Sequence, residues 1–250
     1  MIPMAGNSWA FALLTISFFL AAALYSSVGH GGASAYLAVM GFVGFAPETM
    51  KPVALTLNIL VSAMALFLFC RAGFWHGRIF WPLAAGSVPA AFLGGWMQAS
   101  DPVFKIVLAL ALAMSAWPLV MGRLPEIEEK RVLPTAGAFA IGVGLGFVSG
   151  LIGVGGGIFL TPLLILFGWA NTKTAAALSA AFILLNSISG LGGFITKGGS
   201  IPEITLWLLP TVIAGGAIGS TWGSGRAPSP ILRQALAAVL IIAVIKFTVT

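Results

Sequence analysis

Long apolar runs separated by short polar breaks dominate this chain. Splitting it at charges, prolines and glycines gives ten apolar segments, near 8–28, 33–45, 53–70, 79–98, 103–121, 135–152, 157–168, 175–195, 204–222 and 231–249. A helix rises about 1.5 Å per residue, so crossing a hydrocarbon core of about 30 Å takes about 20 residues. Eight segments meet that length. The segments 33–45 and 157–168 fall short, and apolar stretches of this size next to glycine runs predict re-entrant or broken helices. The most polar stretch, Gly122 to Pro134 (GRLPEIEEKRVLP), holds six of the eighteen charges and two prolines. It reads as a linker, 122–134, between a first membrane repeat, 1–121, and a second, 135–250.

Composition fixes the class. Apolar residues make up 59% of the chain and charged residues 7%, against about 25% charged in soluble domains. So few charges cannot cover a water-facing surface, which excludes a soluble enzyme, a nucleic-acid binder and a disordered protein. The net charge of +6 comes from 12 basic residues placed mostly in the short connections, the footprint of topology signals rather than of a nucleic-acid patch. One cysteine, Cys70, excludes an internal disulfide, and two histidines, His30 and His76, are too few for a metal cluster. The N-terminal tail, MIPMAGNSWAF, lacks the basic region of a signal peptide, so the first segment is expected to be a retained span. GxSxG and HExxH are absent and no GK[ST] follows the glycine runs, so no catalytic residue, metal or cofactor is expected.

The halves resemble each other. Ser27 to Leu37 (SVGHGGASAYL) aligns with Leu151 to Thr161 (LIGVGGGIFLT) at an offset of 124. At nearly the same offset Gly73 meets Gly198 and Gly94 meets Gly219, and slightly later Pro102–Lys105 meets Pro230–Arg233. Matches in the same order point to duplication. Five segments per half make the second half upside down if every segment crosses. Ten crossings put Arg71, Arg78, Arg123, Lys130, Arg131, Lys173, Arg226 and Arg233 on one side and Lys51, Lys105, Lys197 and Lys246 on the other. If the two short segments only dip and return, the split is seven against five. The positive-inside rule favours ten crossings, a cytoplasmic linker and both termini outside. The predicted fold is thus an all-α polytopic membrane protein of two inverted five-segment repeats, each with one short broken helix.

The two glycine runs are the sharpest candidate chemistry: Gly29, His30, Gly31 and Gly32 in the first half, and Gly153, Gly155, Gly156 and Gly157 in the second. Each follows a long span and opens a short one. The first amides of a helix lack intrahelical partners and carry the positive end of its dipole, so such a turn inside a membrane suits an anion. Close packing of glycine is the competing explanation. His30 could carry protons or bond an anion, or act only as a hydrogen-bonded spacer; Val154 takes its place in the second run. Asn58 and Asn186 either donate to substrate or bond neighbouring helices. None of the six acids, Glu48, Asp101, Glu126, Glu128, Glu129 and Glu203, lies in the middle of an apolar segment. A neutral or anionic substrate is favoured over a cation.

The stretch SGLIGVGGGIFLTPLLILFG, its continuation WANTKTAAALSAAF, the duplicated glycine motif and the polar linker resemble the TauE/SafE family of sulfite exporter-like permeases. The first copy departs from the motif, with His30 at the position of Val154 and Ala33 at that of Gly157. The resemblance covers nearly the whole chain. It implies export of sulfur-containing anions such as sulfite or small organosulfonates across a bacterial cytoplasmic membrane. The implied partners are a small anionic substrate and the lipid bilayer, with no nucleic acid; a homo-oligomer is compatible with the sequence. An anion channel without alternating access is the alternative, followed by an anchoring subunit and an intramembrane enzyme.

Overall fold

A computed structural model describes residues 8–97, 106, 133–225, 227, 228, 231 and 234. Among these residues there are eight helices and no strand: α1 (Ser8–Ser27), α2 (Ala33–Val43), α3 (Pro47–Arg71), α4 (Gly77–Trp96), α5 (Thr135–Ile152), α6 (Gly157–Leu166), α7 (Thr172–Thr196) and α8 (Ile204–Ser224). The predicted segments 103–121 and 231–249, the pairing of Lys105 with Arg233 and nearly all of the linker lie outside the described residues. Helices α3, α4, α5, α7 and α8 are long and apolar enough to cross a membrane; Phe11–Ser27, α2 and α6 are shorter apolar helices. Large apolar side chains such as Phe42, Phe67, Trp81 and Leu206 point outward, as a lipid-facing surface requires.

Two helices start earlier than the apolar pattern predicts. Proline in the first turn of α3, with Glu48 beside it, sets the start at Pro47. In α7 the N-cap Asn171 accepts a hydrogen bond from the Thr174 amide at 2.9 Å, which moves the start to Thr172. The earlier start of α3 changes the reading of Lys51. It is not a loop cation but a helical residue only 6% exposed. Its Nζ donates to the carbonyls of Gly94, Gly95 and Met97 at 3.3, 3.0 and 3.2 Å, at the end of α4. Those carbonyls are the unpaired end of a helix, where a cation is favoured.

The helices before and after the linker correspond in order and length: 20, 11, 25 and 20 residues against 18, 10, 25 and 21. Their packing corresponds as well. Gly86 and Gly94 of α4 lie against Phe139 and Phe147 of α5, so these two helices run parallel. Gly215, Gly219 and Gly223 of α8 lie against Phe19, Ala23 and Ser27 of α1, again in parallel. The central pair differs. Lys51, near the start of α3, sits 5.8 Å from the ring of Phe194 near the end of α7, and Lys173, at the start of α7, sits 5.1 Å from the ring of Phe74 just beyond α3. The equivalent helices α3 and α7 are therefore antiparallel. Each ends in the same device: Gly73 and Gly198 have φ of +86° and +95°, and the amides of Phe74 and Gly199 reach back to the carbonyls of Phe69 and Phe194.

Without water to expel, membrane helices associate through close packing and interhelical hydrogen bonds. At the α4–α5 seam a Cβ on Gly86, Gly94, Gly142, Gly146 or Gly150 would run into the facing backbone. Gly144, two residues from both Gly142 and Gly146 and so on the opposite face of α5, faces open space. Gly150→Ala should therefore cost about 1–3 kcal/mol through overpacking, whereas Gly144→Ala should be neutral or stabilise by up to about 1 kcal/mol. Unfolding curves of the two variants in detergent check this; equal curves would mean the seam is not close-packed.

Candidate functional site

The two glycine runs form tight turns that end one helix and begin the next. The first turn, between α1 and α2, has positive φ at Gly29 (+78°) and Gly32 (+99°); the second, between α5 and α6, has it at Gly153 (+80°), Gly155 (+83°) and Gly156 (+81°). Positions 29 and 32 map onto 153 and 156 at the predicted offset of 124. These angles disfavour any residue with a Cβ. Both turns are buried. The outgoing helix is closed locally: the amides of Gly29 and His30 bond Ser26 and Tyr25, and those of Gly153 and Val154 bond Ser149.

Side chains from outside the turns hold them together. Asn58, fully buried on α3, accepts from the Ala33 amide at 3.1 Å and donates through Nδ2 to the Val154 carbonyl at 3.1 Å. One side chain thus satisfies the start of α2 and a carbonyl of the second turn. Gly31 is required beneath it, because a Cβ there would overlap the Asn58 amide. His30 makes the second tie. Its Nε2 lies 3.0 Å from the Gly157 carbonyl and 2.8 Å from the Thr161 hydroxyl. A carbonyl only accepts, so Nε2 carries the proton. Thr161 continues the chain to Ser179 of α7 at 2.6 Å.

The predicted site residues therefore converge. Gly29 packs against the Ala176 backbone of α7, Gly153 against the stem of Lys51, and Gly157 against Ile183. Gly32 and Gly156 are the N-cap residues of α2 and α6. Asn58 and His30 join the two turns. Asn186 is fully buried on α7, and neither of its amide atoms has a partner among the described residues. Sequence reading missed Thr161, Ser179 and Ser149, small hydroxyl residues that look like ordinary packing in an apolar helix, while Ser187 stands out in the sequence only as a polar neighbour of Asn186. The apolar pattern leaves Lys51 outside the segment 53–70, because its charge and Pro52 interrupt the run, whereas the structure puts it inside α3.

The Sulfite exporter TauE/SafE family model matches residues 14–247. The chain belongs to the TauE/SafE family. A probable membrane transporter protein, y4hK, from Sinorhizobium fredii is 36% identical over 237 residues, covering 93% of this chain and 96% of that protein. The probable membrane transporter protein YunE of Bacillus subtilis is 23% identical over 241 residues, covering 84% and 87%. No solved structure matches. This TauE/SafE protein is a multi-pass membrane protein, and its relatives are named as transporters rather than as enzymes.

The role of Asn58 as a double tie has a measurable consequence. Asn58→Ala would strand the Ala33 amide and the Val154 carbonyl, and each stranded buried group costs about 1–3 kcal/mol. Ser87→Ala, which removes only a long 3.5 Å bond to Ala84 within α4, is the matched control. The Asn58 variant should unfold at a clearly lower temperature than the control, and equal stability would refute the tie.

Proposed function

We propose that this protein is a secondary transporter that exports sulfur-containing anions, sulfite or small organosulfonates, across the bacterial cytoplasmic membrane. The oxyanion is held near mid-membrane at the starts of the two short helices. The observation that carries this reading is the convergence of two equivalent glycine turns from two halves whose central helices, α3 and α7, run antiparallel. Inverted repeats that meet at broken helices are a recurrent way to build a carrier site. The antiparallel pair also bears on topology. If α2 and α6 dipped and returned, α3 and α7 would run the same way; antiparallel helices support full crossing, with the linker 122–134 cytoplasmic and the termini periplasmic.

The electrostatics favour an anion. Among the described residues Lys51 is the only buried ion, and no carboxylate is buried. Two helix N-termini, each worth about half a positive charge, open into the same region. Efflux of an anion is driven by the inside-negative potential, at about 2.3 kcal/mol per charge for 100 mV. Export thus needs no coupling ion, and His30 serves as a tie between the turns.

Two experiments test the reading. Purified protein in liposomes should release sulfite or sulfoacetate with saturable kinetics, and Gly156→Val should lower that flux at least about tenfold while remaining monodisperse. A Cβ on Gly156 would meet Phe182 at 2.8 Å and Ser149 at 3.2 Å, on backbone that costs about 1–2 kcal/mol for a residue other than glycine. Wild-type flux in the variant would sink the backbone site, and flux that never saturates would make the protein a channel. For topology, cysteines at Glu48 and Pro228 in a Cys70→Ala background should label from opposite sides, because α2 and α6 that dipped and returned would put both positions on one side. Labelling from one side would overturn the inverted arrangement.

A further inference from the structure

The two turns are built alike but are not satisfied alike. In the first, the amides of Gly31 and Gly32 have no acceptor among the described residues and the N-cap Gly32 has no side-chain bond, but the Ala33 amide is taken by Asn58. The position equivalent to Asn58 in the second half is Phe182, whose ring lies 2.8 Å from where a Cβ on Gly156 would stand. A phenyl ring cannot accept in its place. The N-cap of α6 has no side-chain bond, and the amides of Gly155, Gly156 and Gly157 have no acceptor among the described residues.

Buried polar groups without a partner among the described residues flank both turns: the Tyr36 hydroxyl and His30 Nδ1 at the first, and two serine hydroxyls at the second. Ser149 and Ser187 are both fully buried, and neither Oγ has a partner among the described residues. The Ser187 Oγ lies 3.0 Å from the Cβ position of Gly155, and the Ser149 Cβ lies 3.2 Å from that of Gly156. Both therefore border the stretch of backbone whose amides are open. Their counterparts in the first half are Tyr25, whose hydroxyl accepts from Ser34 at 2.8 Å, and Ala63, which has no polar atom. Buried donors left without partners in an apolar interior cost free energy, and nearly all such groups in folded proteins are paired with something. An oxyanion at the start of a helix, with hydroxyls beside it, would satisfy all of them together.

The geometry points to the second turn as the seat of the transported oxyanion, with the hydroxyls of Ser149 and Ser187 as its side-chain donors beside the amides of Gly155 to Gly157. The first turn is the braced counterpart that holds the seat in place. This assignment rests on the transport reading and narrows it to one of the two turns.

The test separates binding from flux. The purified full-length protein is unfolded thermally in detergent with sulfite, or with chloride at equal ionic strength. Efflux from liposomes is measured on the same preparations. Sulfite should raise the unfolding temperature of the wild type and of Ser87→Ala. The concentration giving half the effect should rise about tenfold in Ser149→Ala and in Ser187→Ala, and further in the double variant, as expected for hydrogen bonds to a charged group. Without sulfite the serine variants should unfold at no lower temperature than the wild type, because the hydroxyls removed had no partner. A destabilised, sulfite-responsive double variant would show that the serines are structural and overturn the seat. So would a wild type that sulfite does not stabilise. Saturable efflux that survives intact in the double variant would overturn the seat while leaving the transport reading. Serine-dependent stabilisation without efflux would uphold the seat and overturn transport of sulfite.

Discussion

A helix that stops inside a membrane leaves its last carbonyls and the first amides of the next helix in a medium without water. Each unpaired group there is expensive, and irregular backbone survives only where protein covers it. This chain contains two breaks between apolar helices, both buried in the protein, and the arrangement around them follows from how they are closed. Glycine at positive φ folds each outgoing helix back on its own carbonyls. The remaining polar groups must be met from elsewhere, which brings α3 against both turns through Asn58 and the first turn against α6 through His30. The small-residue seams between α4 and α5 and between α8 and α1 let the helices approach closely enough for one amide side chain to span the gap.

The same problem recurs at the far ends of the bundle and receives the same answer twice. Lys51 on α3 bonds the terminal carbonyls of α4, and Lys173 on α7 donates to the Gly225 carbonyl just beyond α8 at 3.2 Å. Each lysine also lies over an aromatic ring at the opposite end of the other long helix. The two long central helices thus carry matching caps. The residues at the turns differ: at the offset of 124, Asn58 corresponds to Phe182 and His30 to Val154.

Most of the scaffold was legible in the sequence. Eight apolar segments became helices with ends within a few residues of the polar breaks, because in lipid the length of an apolar run and the position of glycine leave few other choices. The two short segments and the offset of 124 were readable for the same reason. Two things were not. The starts of α3 and α7 depend on local capping by Pro47 and Asn171, which hydropathy does not register. The partners of Asn58 and His30 depend on contacts across 96 and 127 to 131 residues, and composition carries no trace of them. Asn58 and Asn186 looked alike in sequence, each in a long helix with serine nearby. One is fully engaged and the other has no partner among the described residues.

The place of Lys51 bears on how an anion would be held. Its stem borders the second turn, with Cγ 3.1 Å from the Cβ position of Gly153, but its ammonium group is turned to the carbonyls that end α4. The formal charge thus neutralises a helix C-terminus rather than facing the turn. An oxyanion at the second turn would meet amide and hydroxyl dipoles instead of a counter-ion. A buried ion pair would hold an anion tightly, and breaking it would cost several kcal/mol at every turnover. Dipoles fixed by the fold give a shallower well. For a carrier driven by membrane potential that is the better compromise, since the site must release its anion as readily as it takes one up.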